Sequence, residues 1–205
     1  FTKPTADAPA LITHDELTTF LHEFGHALHG IFAKGRYPSL TGTSVSRDFV
    51  ELPSQIMENW AFQPEVLAMY ARHYETGEVI PAELVAKIEA AGNFNQGFMT
   101  TELAAAAILD MKWHELDALP CGKEHNCKYN CHADRTPGQK SFVEEFEANA
   151  CSEMGLIGQI IPRYRSTYFA HIFSGGYNAG YYSYLWAEVL DKDAFELFMQ
   201  KGIFN

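Results

Sequence analysis

The 205-residue sequence predicts a mainly α, multi-helix fold with at most short strands. Three observations lead there. Apolar residues recur three and four apart through several stretches, the period of a half-buried helix. Prolines stand where they open helices, at the first turn, rather than inside them. The run 99–117 is alanine-rich and has strong helix propensity. Hydrophobic residues make up 47% of the chain and aromatic residues 14%, enough for a packed globular core.

Taken in order, the first helix spans about 15–33. Thr13 and Glu16 form a T-x-x-E capping box ahead of it. Leu17, Phe20, Leu21, Phe24, Leu28 and Phe32 then repeat at three and four, and Gly35 fits a C′ stop. Residues 36–47, RYPSLTGTSVSR, read as a turn-rich loop with room for a short strand. A second helix starts near Asp48, with Asp48 and Glu51 as a second capping pair and Pro53 close to its first turn. Pro64 opens a helix over 64–74 and Pro81 one over 82–91. After the alanine-rich helix, 118–140 loses its apolar periodicity and reads as a long exposed loop. Helices resume at 141–154, 180–190 and 192–201, and a glycine–tyrosine turn, FSGGYNAGYY, precedes the last two.

Charge and cysteine content narrow the function classes. A net charge of −11 argues against nucleic acid or an anionic membrane surface as the main partner. No run of 18 apolar residues is present, so no transmembrane helix is expected. The chain opens on Phe1 with no signal-like segment, and reads as a piece of a longer or processed polypeptide. Four cysteines, Cys121, Cys127, Cys131 and Cys151, are too few to build a fold of this length on disulfides.

The chemistry concentrates in LHEFGHALHG, residues 21–30. On a helix, i and i+4 share a face, so His22 and His26 can both turn an imidazole nitrogen to one ion. Zinc takes nitrogen and oxygen ligands at about 2 Å. Glu23 points to the side of such a site, where it can hold the attacking water without occupying the metal. His29 is not a ligand: it lies seven residues from His22, about 10 Å along the axis at 1.5 Å per residue. The third ligand must come from elsewhere. Glu51 is 25 residues beyond His26, a span that fits a loop and a returning helix. Glu58, on the same face of that helix, suits a hydrogen bond to a ligand histidine; the residues alone prefer Glu51 over Glu58 without deciding it. Two neutral histidines, one carboxylate and Zn2+ leave a net charge of +1, which depresses the pKa of bound water.

HEFGHALHG, then DFVELPSQIMENW (48–60), then RYRSTYFAHIFSGGYNAGYYSYLW (163–186) together resemble the thimet-oligopeptidase family of zinc peptidases. The last block, with its His171-to-Tyr177 spacing, is most similar to the bacterial peptidyl-dipeptidase branch. The likeness covers nearly all of 1–117 and 141–205. It implies a zincin-like metallopeptidase catalytic core holding one Zn2+ per chain through His22, His26 and Glu51. It implies Glu23 as the general base. His171, Tyr177 and Tyr184 would line the cleft and hydrogen-bond substrate or the oxyanion. Tyr181, Gly175 and Gly176 are assigned to substrate binding, with Gly175, Gly176 and Gly180 making a mobile turn. Tyr182 is expected to be a core aromatic with a wet tip. Arg163 and Arg165 could meet a peptide carboxylate or form surface ion pairs.

The resemblance also says what else to expect. Family members are several times longer, with a large helical half before the motif that walls the substrate channel. The chain would then be a partial catalytic domain, 1–205, against which that N-terminal half packs. The 118–140 loop would be a Cys-rich insertion; Cys121, His125, Cys127, Cys131 and His132 read as thiols or a disulfide before a second zinc site. The implied activity is hydrolysis of short peptides with release of C-terminal dipeptides. An endo-acting oligopeptidase of the same family and a zinc-binding but inactive fragment are the alternatives. Family analogy favours the cytoplasm, with the periplasm as the other option.

Overall fold

Thr13 opens the first helix with its side chain. Its Oγ1 accepts from the Glu16 N–H at 3.2 Å, and Glu16 Oε2 accepts from the Thr13 N–H at 2.8 Å. In the computed structural model, which describes residues 1–117 and 140–205, helix α1 runs His14–Phe32. It does not end at Gly35: the chain turns extended at Ala33, the C-cap, with φ −61° and ψ 124°. The expected second helix is two pieces, α2 (Arg47–Val50) and α3 (Leu52–Glu58), joined at Glu51. Asp48 and Glu51 form no capping pair: Ser46 holds the N-cap position of α2, Asp48 lies in its first turn, and Glu51 occupies the N-cap position of α3 without a side-chain capping bond. Pro53 sits in the first turn of α3, where its missing N–H costs nothing.

Helix α4 (Pro64–Tyr70) stops four residues short of expectation, because the chain turns back into an isolated antiparallel bridge between Arg72 and Val79. The 36–47 segment holds a 3-10 turn, Pro38–Leu40, in place of a strand. Helix α5 is Ala82–Gly92, and α6, Gln96–His114, starts three residues before its predicted boundary. Helix α7 is Phe142–Glu153, entered by a second capping box between Ser141 and Glu144. A short α8, Ala170–Phe173, was not foreseen. The two helices expected at the end are one, α9, Ser183–Lys201. Asp191, between the two expected helices, lies inside α9, and its Oδ1 accepts from Asn59 Nδ2 at 3.0 Å. The fold is thus mainly helical. No helix among the described residues is long and apolar enough to cross a membrane.

The chain divides into two compact units, Phe1–Phe94 with Ser183–Asn205, and Asn95–Tyr182. In the first, α1 and α9 both pack on α3. Gly25 makes the α1–α3 approach possible: a Cβ there would lie 2.6 Å from Ser54 Cα and press on the Pro53 carbonyl. Trp60 fixes the far end, its ring edge-on to Phe195 and Phe198 and its Nε1 donating to the Ile203 carbonyl at 3.0 Å.

In the second unit α6 packs against α7. Ala105, Ala106 and Ala107 are all buried, so the middle of this helix is covered on more than one side and small side chains let its neighbours close in. Trp113 stacks on Phe146 at 4.0 Å and donates to Ser166 Oγ at 2.9 Å. The buried Glu147 accepts from the Ser166 N–H at 2.7 Å and pairs with Arg165. The expectations for the 118–140 loop, its cysteines and His125 and His132 fall almost wholly outside the described residues; Cys151, in α7, is a free thiol pushed up by burial and by Glu147.

Candidate metal centre

Helical geometry brings the first two groups together. His22 and His26, one turn apart on α1, hold their rings edge-to-face at 5.0 Å between centroids. The α2–α3 joint supplies the third. Glu51 is 2% exposed, and its Oε2 lies 3.3 Å from His22 Nε2 and 3.4 Å from His26 Nε2. One ligand atom from each of the three lies within 4.8 Å of the others. Ligands about 2 Å from a tetrahedral zinc are separated by about 3.3 Å, so both carboxylate–imidazole gaps fit that ion. Two imidazoles and a carboxylate are also a donor set zinc accepts.

Two further side chains orient these three. Glu58 Oε1 sits 2.6 Å from His22 Nδ1, which leaves Nε2 as the nitrogen facing the cluster. Ser54, wholly buried, places its Oγ 3.0 Å from Glu51 Oε2 and 2.8 Å from the Glu51 carbonyl. Sequence reasoning passed over Ser54. Its only signal was position, three residues after Glu51 on a turn that had yet to be placed. Burial alone would lower the His22 pKa. Hydrogen bonds and charge from Glu51 and Glu58 outweigh that and carry it up to about 9, so the cluster favours positive charge at its centre. Glu23 is exposed on α1 beside His22, and its carboxylate is not one of the three clustered groups. His29 packs edge-on to Phe49 instead. Tyr184 stands half-buried in the first turn of α9, where its carbonyl accepts from Gln55 Nε2 of α3 at 3.2 Å.

The other predicted residues lie in the second unit. The His171 ring is surrounded by aromatics: Tyr164 at 4.8 Å, Tyr181 at 5.6 Å, Phe169 at 6.1 Å and Tyr177 at 6.2 Å between centroids. The glycine–tyrosine turn folds back on this ring's own helix. Gly175 N–H donates to the Ala170 carbonyl at 2.7 Å and Tyr177 N–H to the His171 carbonyl at 2.9 Å. A Cβ at Gly175 would reach the His171 backbone at 2.9 Å, so a close approach calls for this glycine. Gly176 has φ +78°, which glycine alone adopts freely.

Tyr182, expected as a core aromatic, faces outward, and its neighbour Tyr181 takes the core position. Tyr181 is 3% exposed and Tyr182 43%. Tyr181 stacks edge-on to Phe169 at 5.0 Å, and burial with the neighbouring Tyr164 pushes its hydroxyl pKa up. Arg163 pairs with Glu102 at 3.4 Å and Arg165 with Glu147, the ion-pair reading of both.

Two histidines from an HExxH helix and a carboxylate from the α2–α3 joint thus converge, in a helical fold, as a group that could hold a metal ion. The family model described as Peptidase family M3 matches residues 1–205, and the chain belongs to that family. It is 46% identical over 203 residues to the dipeptidyl carboxypeptidase of Escherichia coli (strain K12), covering 98% of this chain and 27% of that protein. It is 39% identical over 211 residues to oligopeptidase A of the same strain, covering 100% of this chain and 28% of that protein. A thimet-like oligopeptidase of Dictyostelium discoideum is 34% identical over 209 residues, with the same two shares. The chain thus spans little more than a quarter of the length of these relatives.

Proposed function

We propose that the chain is the metal-bearing part of a zinc oligopeptidase that hydrolyses short peptides, releasing dipeptides from their C-termini. One observation carries the reading: His22, His26 and Glu51 converge with spacing that suits zinc, and Glu23 follows His22 on α1 outside the cluster. The greater identity to a dipeptidyl carboxypeptidase than to oligopeptidase A supports the exo-acting form over an endo-acting one.

Zinc held by His22, His26 and Glu51, one per chain, would polarise the scissile carbonyl and acidify water. The remaining steps belong to the protein. Glu23 takes the proton of the attacking water and passes it to the leaving amine. Tyr184, Tyr177 and His171 donate hydrogen bonds to the oxyanion, where charge develops in the transition state. Gly175 and Gly176 shape the turn that binds substrate, and Tyr181 is the buried wall behind His171. Glu58 and Ser54 hold the ligands in orientation. Further helical sequence of the parent polypeptide packs on this segment and walls the channel; exposed Phe20, Phe24, Ile31 and Phe32 on α1 support that. The 118–140 stretch is an insertion in this domain. The site of action is the cytoplasm.

Metal content together with peptide cleavage tests this. The parent protein is expected to bind one zinc per chain, and Glu51→Ala to lose it. Glu23→Gln is expected to keep the zinc and lose cleavage by about 100-fold or more. Zinc retained in full by Glu51→Ala would overturn the ligand assignment. Full activity of Glu23→Gln would overturn the mechanism.

A further inference from the structure

Asp110 has no part in the chemistry above, yet it is a carboxylate with no exposure, in the alanine-rich face of α6. A buried carboxylate is costly unless its oxygens are hydrogen-bonded. Here they are, and both main-chain donors come from one place. The Ala179 N–H donates to Oδ1 at 2.9 Å and the Tyr181 N–H to Oδ2 at 2.8 Å. His114, one turn on along α6, brings Nδ1 to 2.8 Å from Oδ1. The clamped segment is the glycine–tyrosine turn. Ala179 within it has φ +52°, a left-handed conformation that a non-glycine residue holds only at a cost. The start of the same turn is tied to α8 by Gly175 and Tyr177. The turn is thus fixed at one end by its own helix and at the other by a carboxylate 69 and 71 residues away in sequence.

We propose that Asp110, supported by His114, is a positioning residue that holds residues 175–181 in the shape presenting His171 and Tyr177 to substrate. The proposal rests on the catalytic reading of those two groups given above. It depends on a carboxylate in particular. Asn has the same size but only one acceptor oxygen, so its amide group would face one of the two N–H donors and break that tie. A change in the turn moves hydrogen-bond donors that matter only in the transition state, so it acts on kcat more than on KM.

The test is made on the full natural polypeptide, zinc-loaded, with a short fluorogenic peptide. Asp110→Asn is expected to keep its zinc and lose kcat per bound zinc by about 100-fold, the effect of losing one oxyanion donor, with KM nearly unchanged. Combined with the double variant His171→Gln/Tyr177→Phe, it is expected to add less than about threefold to that variant's loss, since Asp110 acts through those two groups. Normal kcat per zinc with only a lower melting temperature would make Asp110 structural and overturn the proposal, as would losses that multiply. Should Asp110→Asn fail to fold, His114→Gln decides, with a loss of about tenfold expected and an unchanged kcat overturning. An active Tyr177→Phe would remove the catalytic reading and the proposal with it. A slow Tyr177→Phe beside a normal Asp110→Asn would remove the positioning role alone.

Discussion

Glu51 and Glu58 show how one residue type takes different roles seven positions apart. Glu51 is buried and reaches the His22 and His26 imidazoles at Nε2; Glu58 is partly exposed and reaches the opposite nitrogen of His22. The difference follows from the chain's turn at Glu51, which aims that side chain inward. Glu58→Gln should therefore leave zinc bound but weaken it by about 10- to 100-fold, since an amide orients the imidazole less firmly. Competition with a chelator measures this. Equal zinc affinity in the variant would mean Glu58 is a bystander. The sequence legibly paired His22 with His26, because helix geometry alone sets that distance. It left Glu51 against Glu58 as a preference, because neither spacing nor residue type says which carboxylate the fold turns toward α1.

The elements show the same division. The α1 capping box could be read from Thr13 and Glu16, because every contact in it is local. Thr13→Ala should cost about 1 kcal/mol, read from denaturant unfolding. Gly25 was invisible as anything but a weak helix residue. Packing gives it a purpose, since α1 rests on Pro53 and Ser54 at a distance that excludes a Cβ. Gly25→Ala improves local helix propensity but should destabilise the protein by about 3 kcal/mol and loosen zinc, because it pries α1 from the joint bearing Glu51. Unchanged stability and zinc affinity would show that the helices can slide to admit a methyl group. Helix boundaries failed where distant partners act, as at Asp191, which Asn59 holds within a continuous α9.

At the scale of the molecule, the exo-acting reading makes a distinct prediction. A peptide with a free C-terminal carboxylate should be cleaved two residues from its end, and the same peptide amidated at its C-terminus should be cut at least about tenfold more slowly, as expected for loss of a charged contact. Mass spectrometry of the products decides, and equal cleavage of both would favour the endo-acting alternative. The isolated 205-residue chain should bind an apolar dye such as ANS, because the exposed aromatics of α1 then face water. The full polypeptide should bind it weakly. Strong dye binding by both would argue against a covering segment.

What the sequence determined by itself was everything that short-range geometry sets: the helical class, the α1 cap, the alanine-rich α6, and the His22–Glu23–His26 grouping on one helical turn. The family likeness across three motifs is likewise legible in the residues alone. The tertiary structure decided the rest. It chose Glu51 for the imidazoles, placed Ser54 beneath it, turned Tyr181 inward and Tyr182 out, and set Asp110 under the glycine–tyrosine turn. The physical reason is separation along the chain. Within a helix, backbone hydrogen bonds fix distances between side chains a turn apart. Groups that lie tens of residues apart meet only through packing of whole elements, which no local pattern encodes.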